Sequence, residues 1–141
     1  DIVQPYRNVM DDDYVKSGLR SYVDKHNIGV CFFSPIKHGL LTGKYKIPAT
    51  FDHGDHRSGI KDFANQAIID KMQQNKNLLE KRFADHKYPT MHGVIDALFN
   101  DSSTACVLLG QRNIKQVEVA STLGNLMSDE DSQWVKSIYK T

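Results

Sequence analysis

Residues 29–45 read Gly29-Val30-Cys31-Phe32-Phe33-Ser34-Pro35-Ile36-Lys37-His38-Gly39-Leu40-Leu41-Thr42-Gly43-Lys44-Tyr45. Val30 to Phe33 form a short continuous apolar run, the pattern of a strand buried on both faces in a parallel sheet. Ser34-Pro35 breaks the run, because proline has no amide to donate and restricts the residue before it. A segment punctuated by Gly39, Gly43, Pro48, Gly54 and Gly59 then continues to about Lys61. That is long for a connection in a compact domain, which marks it as a candidate functional loop.

Upstream, Asp1 to Gln4 reads as the end of a strand closed by Pro5. Asp11, Asp12 and Asp13 supply N-cap and first-turn acids for a helix whose buried face carries Val15, Leu19, Tyr22 and Val23. Asn27 and Gly29 stop it. Downstream, a long helix is expected over about 62–86, striped by Ala64, Ile68, Met72, Leu79 and Phe83. A second opens near Pro89 and buries Met91, Val94, Ile95 and Leu98. Ala105 to Leu109 is another buried strand, ended by Gly110. Asn113 is an N-cap with Gln116 completing a capping box, for a helix lined by Val117, Ala120 and Leu123. Ser128 with Asp131 opens a last helix carrying Trp134, Val135, Ile138 and Tyr139.

Three strands alternating with helices make a parallel α/β sheet. Three parallel strands cannot close a barrel, and an open sheet of three leaves two bare edges. The chain therefore calls for more strands, from a missing part, a partner or a second copy. Residue 1 is Asp, and Asp1-Ile2-Val3 runs at once into apolar sequence, as in a chain that begins in the middle of something.

Composition excludes several classes. With 141 residues, 40% apolar and 25% charged, the chain suits one modest domain with a core and not a disordered segment. A net charge of +1 lacks the electrostatic footprint of a nucleic-acid binder. No uncharged apolar run approaches the ~18 residues of a membrane span. Cys31 and Cys106 both sit inside apolar runs and read as buried thiols of a reducing compartment, the cytoplasm.

The stretch from Phe33 to Tyr45 resembles the aldo-keto reductase family, in the "Y-S-P-L-x-x-G-L-L-T-G-K-Y" run of its potassium-channel-β-subunit-like and general-stress branches. Gly54-Asp55-His56-Arg57-Ser58 continues the match. Gly110 to Glu118 is similar to the family's "G-x-R-N-x-x-Q-[VL]-E-x-N". Gln4 stands twenty-nine residues before Phe33, the family's interval from the glutamine of its sixth strand. The resemblance implies that residues 1–141 are the C-terminal, cofactor-binding part of a (β/α)8 TIM barrel, strands six to eight of a fold of ~250 residues. It implies NADP(H) as cofactor, a small carbonyl compound as substrate and no metal.

The same resemblance implies residue roles. Gln4 would hydrogen-bond the nicotinamide carboxamide, and Phe33 would stack on the ring. Ser34, Pro35, Ile36 and the backbone through His38 would lie along the pyrophosphate. Lys44 and Arg57 would clamp the phosphates, and Gly110, Arg112 and Gln116 would hold the adenosine 2′-phosphate end. Four features depart from the family pattern, the first being Gln4-Pro5-Tyr6-Arg7-Asn8 where the family's sixth strand reads "Q-x-x-Y-N". Phe33 replaces a tyrosine, and Val119 and Ala120 replace the last two anchors of "E-x-x-N". The family's catalytic Asp, Tyr, Lys and His lie on its first four strands, outside this sequence, so this chain alone should not transfer hydride. The alternative reading is a non-catalytic, reductase-like module that binds nucleotide or a partner protein.

Two smaller constellations need a reading of their own. His53 and His56 are not an i, i+4 helical pair, so Asp52, His53, Asp55 and His56 read as a polar lid segment and not a metal site. His38 beside Lys37 reads as a loop residue facing solvent.

Overall fold

Strands β1 (Ile2–Val3), β2 (Gly29–Phe32) and β3 (Ala105–Val107) lie side by side in that order, all parallel. The computed structural model describes residues 1–140. Val3 pairs with Val30, and Val30, Cys31 and Phe32 pair with Ala105, Cys106 and Val107. Pro5 interrupts the first ladder, yet a single parallel bridge joins Tyr6 to Phe33 beyond it. The Phe33 amide donates to the Pro5 carbonyl and the Arg7 amide to that of Phe33, each at 3.1 Å. The parallel α/β arrangement expected from the sequence is the one found.

Helices α1 (Asp13–Lys16), α2 (Leu19–His26), α3 (Gln66–Arg82), α4 (Pro89–Asp96), α5 (Ile114–Ala120) and α6 (Asp129–Tyr139) connect and cover the sheet. The core gathers Val30 and Phe32 from β2, Ile69, Met72 and Leu79 from α3, and Val94 and Ile95 from α4. Val135 and Tyr139 of α6 complete it, the tyrosine hydroxyl donating to the Leu41 carbonyl at 2.9 Å. None of the described helices is long and apolar enough to cross a membrane.

The strands depart from the two-sided burial expected of them. Side chains alternate across a strand, and the helices cover only the face that takes Val30 and Phe32. On the other face Cys31 is half-buried and Cys106 exposed, so Cys106 is not the buried thiol its apolar neighbours suggest. Beyond the end of β3, Leu108 is exposed as well.

The helices also differ in detail. The single helix expected after Asp11 is two, because Gly18 at φ 79° takes the left-handed conformation. Tyr14 is buried there, while Val15 and Tyr22 are exposed. The Asp12 side chain makes no capping bond. Helix α3 begins later than expected, capped by Asn65, whose side chain accepts from the amides of Ala67 and Ile68. Its buried row runs Ile69, Met72, Asn75 and Leu79, and Ala64 is exposed. The Asn75 amide is satisfied by the Ile138 carbonyl at 3.0 Å. Helix α5 buries none of its residues, and Val117 is exposed. Asn27 at φ 48° ends α2, Pro89 opens α4, and Ser128 caps α6, all as the sequence implies.

Two features position the loops. Arg7 is buried, its Nε donating to Asp101 Oδ2 at 2.8 Å and its Nη1 to the carbonyls of Asn8 and Asp11 at 2.5 Å each. Asp101 is buried too and accepts Lys136 Nζ at 2.7 Å. Burial pushes the Lys136 ammonium below its ordinary range, with Asp101 opposing the shift. The second feature is Gly43, held at φ 62° against α3. A Cβ there would lie 2.7 Å from the Met72 carbonyl oxygen and 2.8 Å from Lys76 Cβ.

Asp101→Ala leaves Lys136 without its carboxylate and Arg7 with only the longer contact to Asp12, and should destabilise by about 3–5 kcal/mol in denaturant unfolding. A midpoint within error of wild type would show the pair to be dispensable. Gly43→Ala should cost roughly 1–3 kcal/mol through positive φ and overpacking. Gly59→Ala, where no atom lies within 4 Å of the new Cβ, should be nearly neutral in the same melts.

Candidate functional site

A cleft of about 1080 Å³ opens beyond the C-terminal ends of β2 and β3. Its wall includes Phe33, Ser34, Pro35 and Ile36 from the end of β2, Lys44 and Arg57 from the long loop, and Gly110, Arg112 and Gln116 from the segment between β3 and α5. Those are nine of the ten residues singled out in the sequence. The tenth, Gln4, is exposed at the end of β1 and is not part of the wall. Tyr6 lines the cleft instead, its ring meeting Phe33 edge-on at 5.5 Å. The bridge past Pro5 is what brings Tyr6 there.

The turn after β2 has unusual backbone. Ser34, Lys37 and His38 take positive φ of 58°, 46° and 56°, and Gly39 follows at 92°. Such conformations in non-glycine residues persist only where the surroundings hold them. Here Lys37 Nζ is clamped by Asp62 Oδ2 at 2.8 Å and Asp11 Oδ2 at 3.1 Å. Burial works to lower the Lys37 pKa, but the two carboxylates outweigh it and raise it. Asp11 is the hub of this clamp. Burial pushes its carboxyl up, and bonds from the Tyr6 hydroxyl (2.6 Å), Asn8 (3.1 Å) and Lys37 more than reverse that. Tyr6, desolvated and donating to Asp11, is held above its ordinary range and stays protonated. The Ser34 hydroxyl oxygen is buried with no hydrogen-bond partner among the described residues.

The cations of the cleft fall into two kinds. Arg57 is occupied: its Nε and Nη2 donate to Asp55 at 2.9 and 2.5 Å, and its guanidinium stacks on Phe51 at 4.2 Å. Those hydrogen bonds hold the Asp55 carboxyl well below the usual carboxylate range. Lys44 and Arg112, in contrast, are exposed and carry no carboxylate partner among the described residues. Gly39 leaves room for the lysine, since a Cβ there would stand 3.3 Å from Lys44 Nζ. The capping box near Arg112 is shifted by one residue. Asn113 accepts from the Gln116 amide at 3.0 Å, and Gln116 Oε1 reaches back to the Arg112 amide at 2.6 Å, not to that of Asn113.

Two histidines also line the wall: His38, of which the resemblance implies only a backbone role, and His56. His38 and His56 sit with ring centroids 4.8 Å apart. His38 is exposed, as a loop residue should be, but faces the cleft. Partial burial, then the neighbouring His56 and Arg57, lower its pKa. The left-handed turn that brings it there has no local sequence signal. No group of three possible metal ligands comes together among the described residues. The arrangement is built to bind: a flat aromatic wall, an unsatisfied hydroxyl and two uncompensated cations.

A model of the aldo/keto reductase family matches residues 1–140. The chain is 26% identical over 119 residues to L-glyceraldehyde 3-phosphate reductase of Escherichia coli K12, covering 83% of this chain and 34% of that protein. It is 26% identical over 147 residues to a probable voltage-gated potassium channel subunit beta of Arabidopsis thaliana, covering 96% of this chain and 44% of that one. The solved structure of a glycerol dehydrogenase from Gluconobacter oxydans superposes with a TM-score of 0.80 at 26% identity, over 97% of this chain and 41% of the other. The chain therefore spans less than half the length of each of these relatives.

Titration of the histidine rings by NMR should find His38 below the ordinary imidazole value, so that it is neutral at pH 7. Asp55 opposes that shift, so Asp55→Asn should lower the His38 pKa further. A His38 that titrates above the ordinary value would contradict this geometry.

Proposed function

The chain belongs to the aldo/keto reductase family, and from that footing we propose that it is the cofactor-holding C-terminal part of an NADP(H)-dependent reductase of aldehydes and ketones. The observation that carries this reading is the convergence of three segments, distant in sequence, on one cleft at the C-terminal ends of parallel strands. That is the end at which (β/α)8 barrels place their sites.

The residues fit such a cofactor. Lys44 and Arg112 are uncompensated cations suited to phosphate groups, the arginine through its planar fork. Gly110 leaves open space where a side chain would stand. Phe33 supplies a flat apolar face for a ring, with Tyr6 edge-on beside it. The buried Ser34 hydroxyl has a hydrogen bond to give. In this reading Phe33 stacks on the nicotinamide and Gln4 binds its carboxamide. Ser34, Pro35 and Ile36 line the pyrophosphate; Lys44 and Arg57 hold the phosphates; Gly110, Arg112 and Gln116 take the 2′-phosphate end. NADPH bound there would supply hydride to the substrate carbonyl. The residues of this chain bind and orient it, while the proton donor comes from outside residues 1–141.

The bare edges at β1 and β3 then meet the remaining strands of the barrel, from the rest of the protein or a second copy, with β1 to β3 as strands six to eight. The uncovered face carrying Cys31 and Cys106 turns inward. A balanced charge suits a cytoplasmic enzyme that binds neither nucleic acid nor membrane. A second reading, a nucleotide-binding regulatory module without catalysis, is favoured by Val119 and Ala120 standing where the resemblance puts adenine-side anchors.

Fluorescence titration of the full protein with NADPH tests both. Lys44→Ala and Arg112→Ala should each weaken binding about tenfold, the loss of a charged hydrogen bond. Arg112→Ala should affect NADPH more than NADH. Arg57→Ala should cost less, because Asp55 already occupies that guanidinium. Unchanged affinity in both the Lys44 and Arg112 variants would remove the proposed site. Binding without reduction of any aldehyde would select the regulatory reading.

A further inference from the structure

We propose that the His38–His56 pair couples entry of a phosphate group into the cleft to uptake of a proton from water by His38, so that the site tightens on its ligand as pH falls. The proposal deepens the reading of the cleft as the cofactor site, and rests on that reading for the identity of the ligand. The pair bridges two turns distant in sequence. His38 stands in the left-handed turn after β2, and His56 opens the tight turn His56–Gly59 of the long loop. Their ring centroids are 4.8 Å apart, with the planes tilted by 56°. Each turn is fixed from within this chain. Lys37 holds the first through Asp11 and Asp62, and the Asp55 side chain caps the second by accepting from the Arg57 amide at 2.9 Å. Both rings line the cleft. The cleft lies beyond the strand ends and stays open in the barrel, unlike the sheet face that turns inward.

The charges around the pair favour an anion. Among the described residues the wall carries Lys44, Arg57 and Arg112 as permanent cations against one carboxylate, Asp55, and Arg57 occupies that carboxylate. Lys44 reaches the turn that holds His38, its Nζ standing 3.3 Å from where a Cβ on Gly39 would lie. Arg112 comes from the segment between β3 and α5 and acts on Asp55. Lys37, beside His38 in sequence, spends its charge on Asp11 and Asp62. In the free protein the charged form of His38 is opposed by partial burial first, then by His56 and Arg57, with only Asp55 in its favour. A phosphate reverses that balance, because an opposite charge within ~4–6 Å favours the charged imidazole. His38 then takes a proton from water at a ring nitrogen and donates it in a hydrogen bond to a phosphate oxygen. The gain in affinity is complete below the His38 pKa of the free protein. It is lost as pH rises through the higher pKa of the complex.

The test is NMR titration of the His38 ring in the full protein, alone, with inorganic pyrophosphate and with NADPH. Each ligand should raise the His38 pKa by about one unit, the effect of a single nearby charge. Fluorescence titration should find NADPH affinity rising as pH falls from about 8 to about 6, by at most about tenfold per unit, the limit for one coupled proton. His38→Gln should flatten that rise; the nucleotide's own phosphate titrates in both proteins and cancels in the comparison. His56→Gln should raise the His38 pKa of the free protein and so shrink the shift. A ring unmoved by both ligands would overturn the proposal, and if NADPH still binds, the cofactor reading stands without it. An NADPH profile identical in wild type and His38→Gln would also overturn it. A ring that moves with pyrophosphate in a protein that does not bind NADPH would support the proposal and remove the cofactor reading.

Discussion

The buried ion pair between Arg7 and Asp101 joins residues 94 positions apart, and the cleft wall is built outward from it. Two charges taken out of water are costly unless their geometry and remaining hydrogen bonds are good. Here Nη1 is satisfied by carbonyls, and Nη2 lies 3.6 Å from the Asp12 carboxylate. Arg7 Nη1 holds the Asn8 and Asp11 carbonyls, and Asp101 accepts Lys136 from α6. The pair thus locks the segment after β1 to the turn before β3. Asp11, fixed through its backbone, turns its carboxylate to Tyr6, Asn8 and Lys37. Lys37 in turn steadies the left-handed turn that carries Ser34 and His38 into the cleft.

That chain of dependence was invisible in the sequence. A lone arginine after Pro5 and an aspartate before Ser102 look like surface charges, because nothing local marks their partner. What was legible is what local chemistry controls: three parallel strands, the proline start of α4, the Asn27 stop and the Ser128 cap. The phase of the first helix was misread because Gly18 resets the period, so that Tyr14 and not Val15 enters the core. Two-sided strand burial was misread for a different reason. An apolar run records that a strand is meant to be covered, not that this chain supplies the cover.

The site was legible only through the long loop motif and the Gly110–Glu118 run, which single out nine residues that the fold does bring together. Motif residues of one kind need not be equivalent once folded. Arg57 and Arg112 look alike as cations in sequence, yet Asp55 neutralises one and leaves the other open. The motif also passes over Tyr6 and the side chain of His38, because each reaches the wall through backbone geometry that depends on distant contacts: the bridge past Pro5 and the clamp on Lys37.

The same alternation of strand side chains organises both levels of the sheet. Val30 and Phe32 anchor β2 in the core, which leaves Cys31 and Phe33 for the opposite face. On β3 the register sets Cys106 beside Cys31, and the continued pairing sets Leu108 near Phe33. A one-residue slip between β2 and β3 would therefore separate Cys106 from Cys31 and Leu108 from Phe33 together. The register that builds the cleft is therefore also the register that sets the two cysteines side by side on the sheet face the helices leave uncovered.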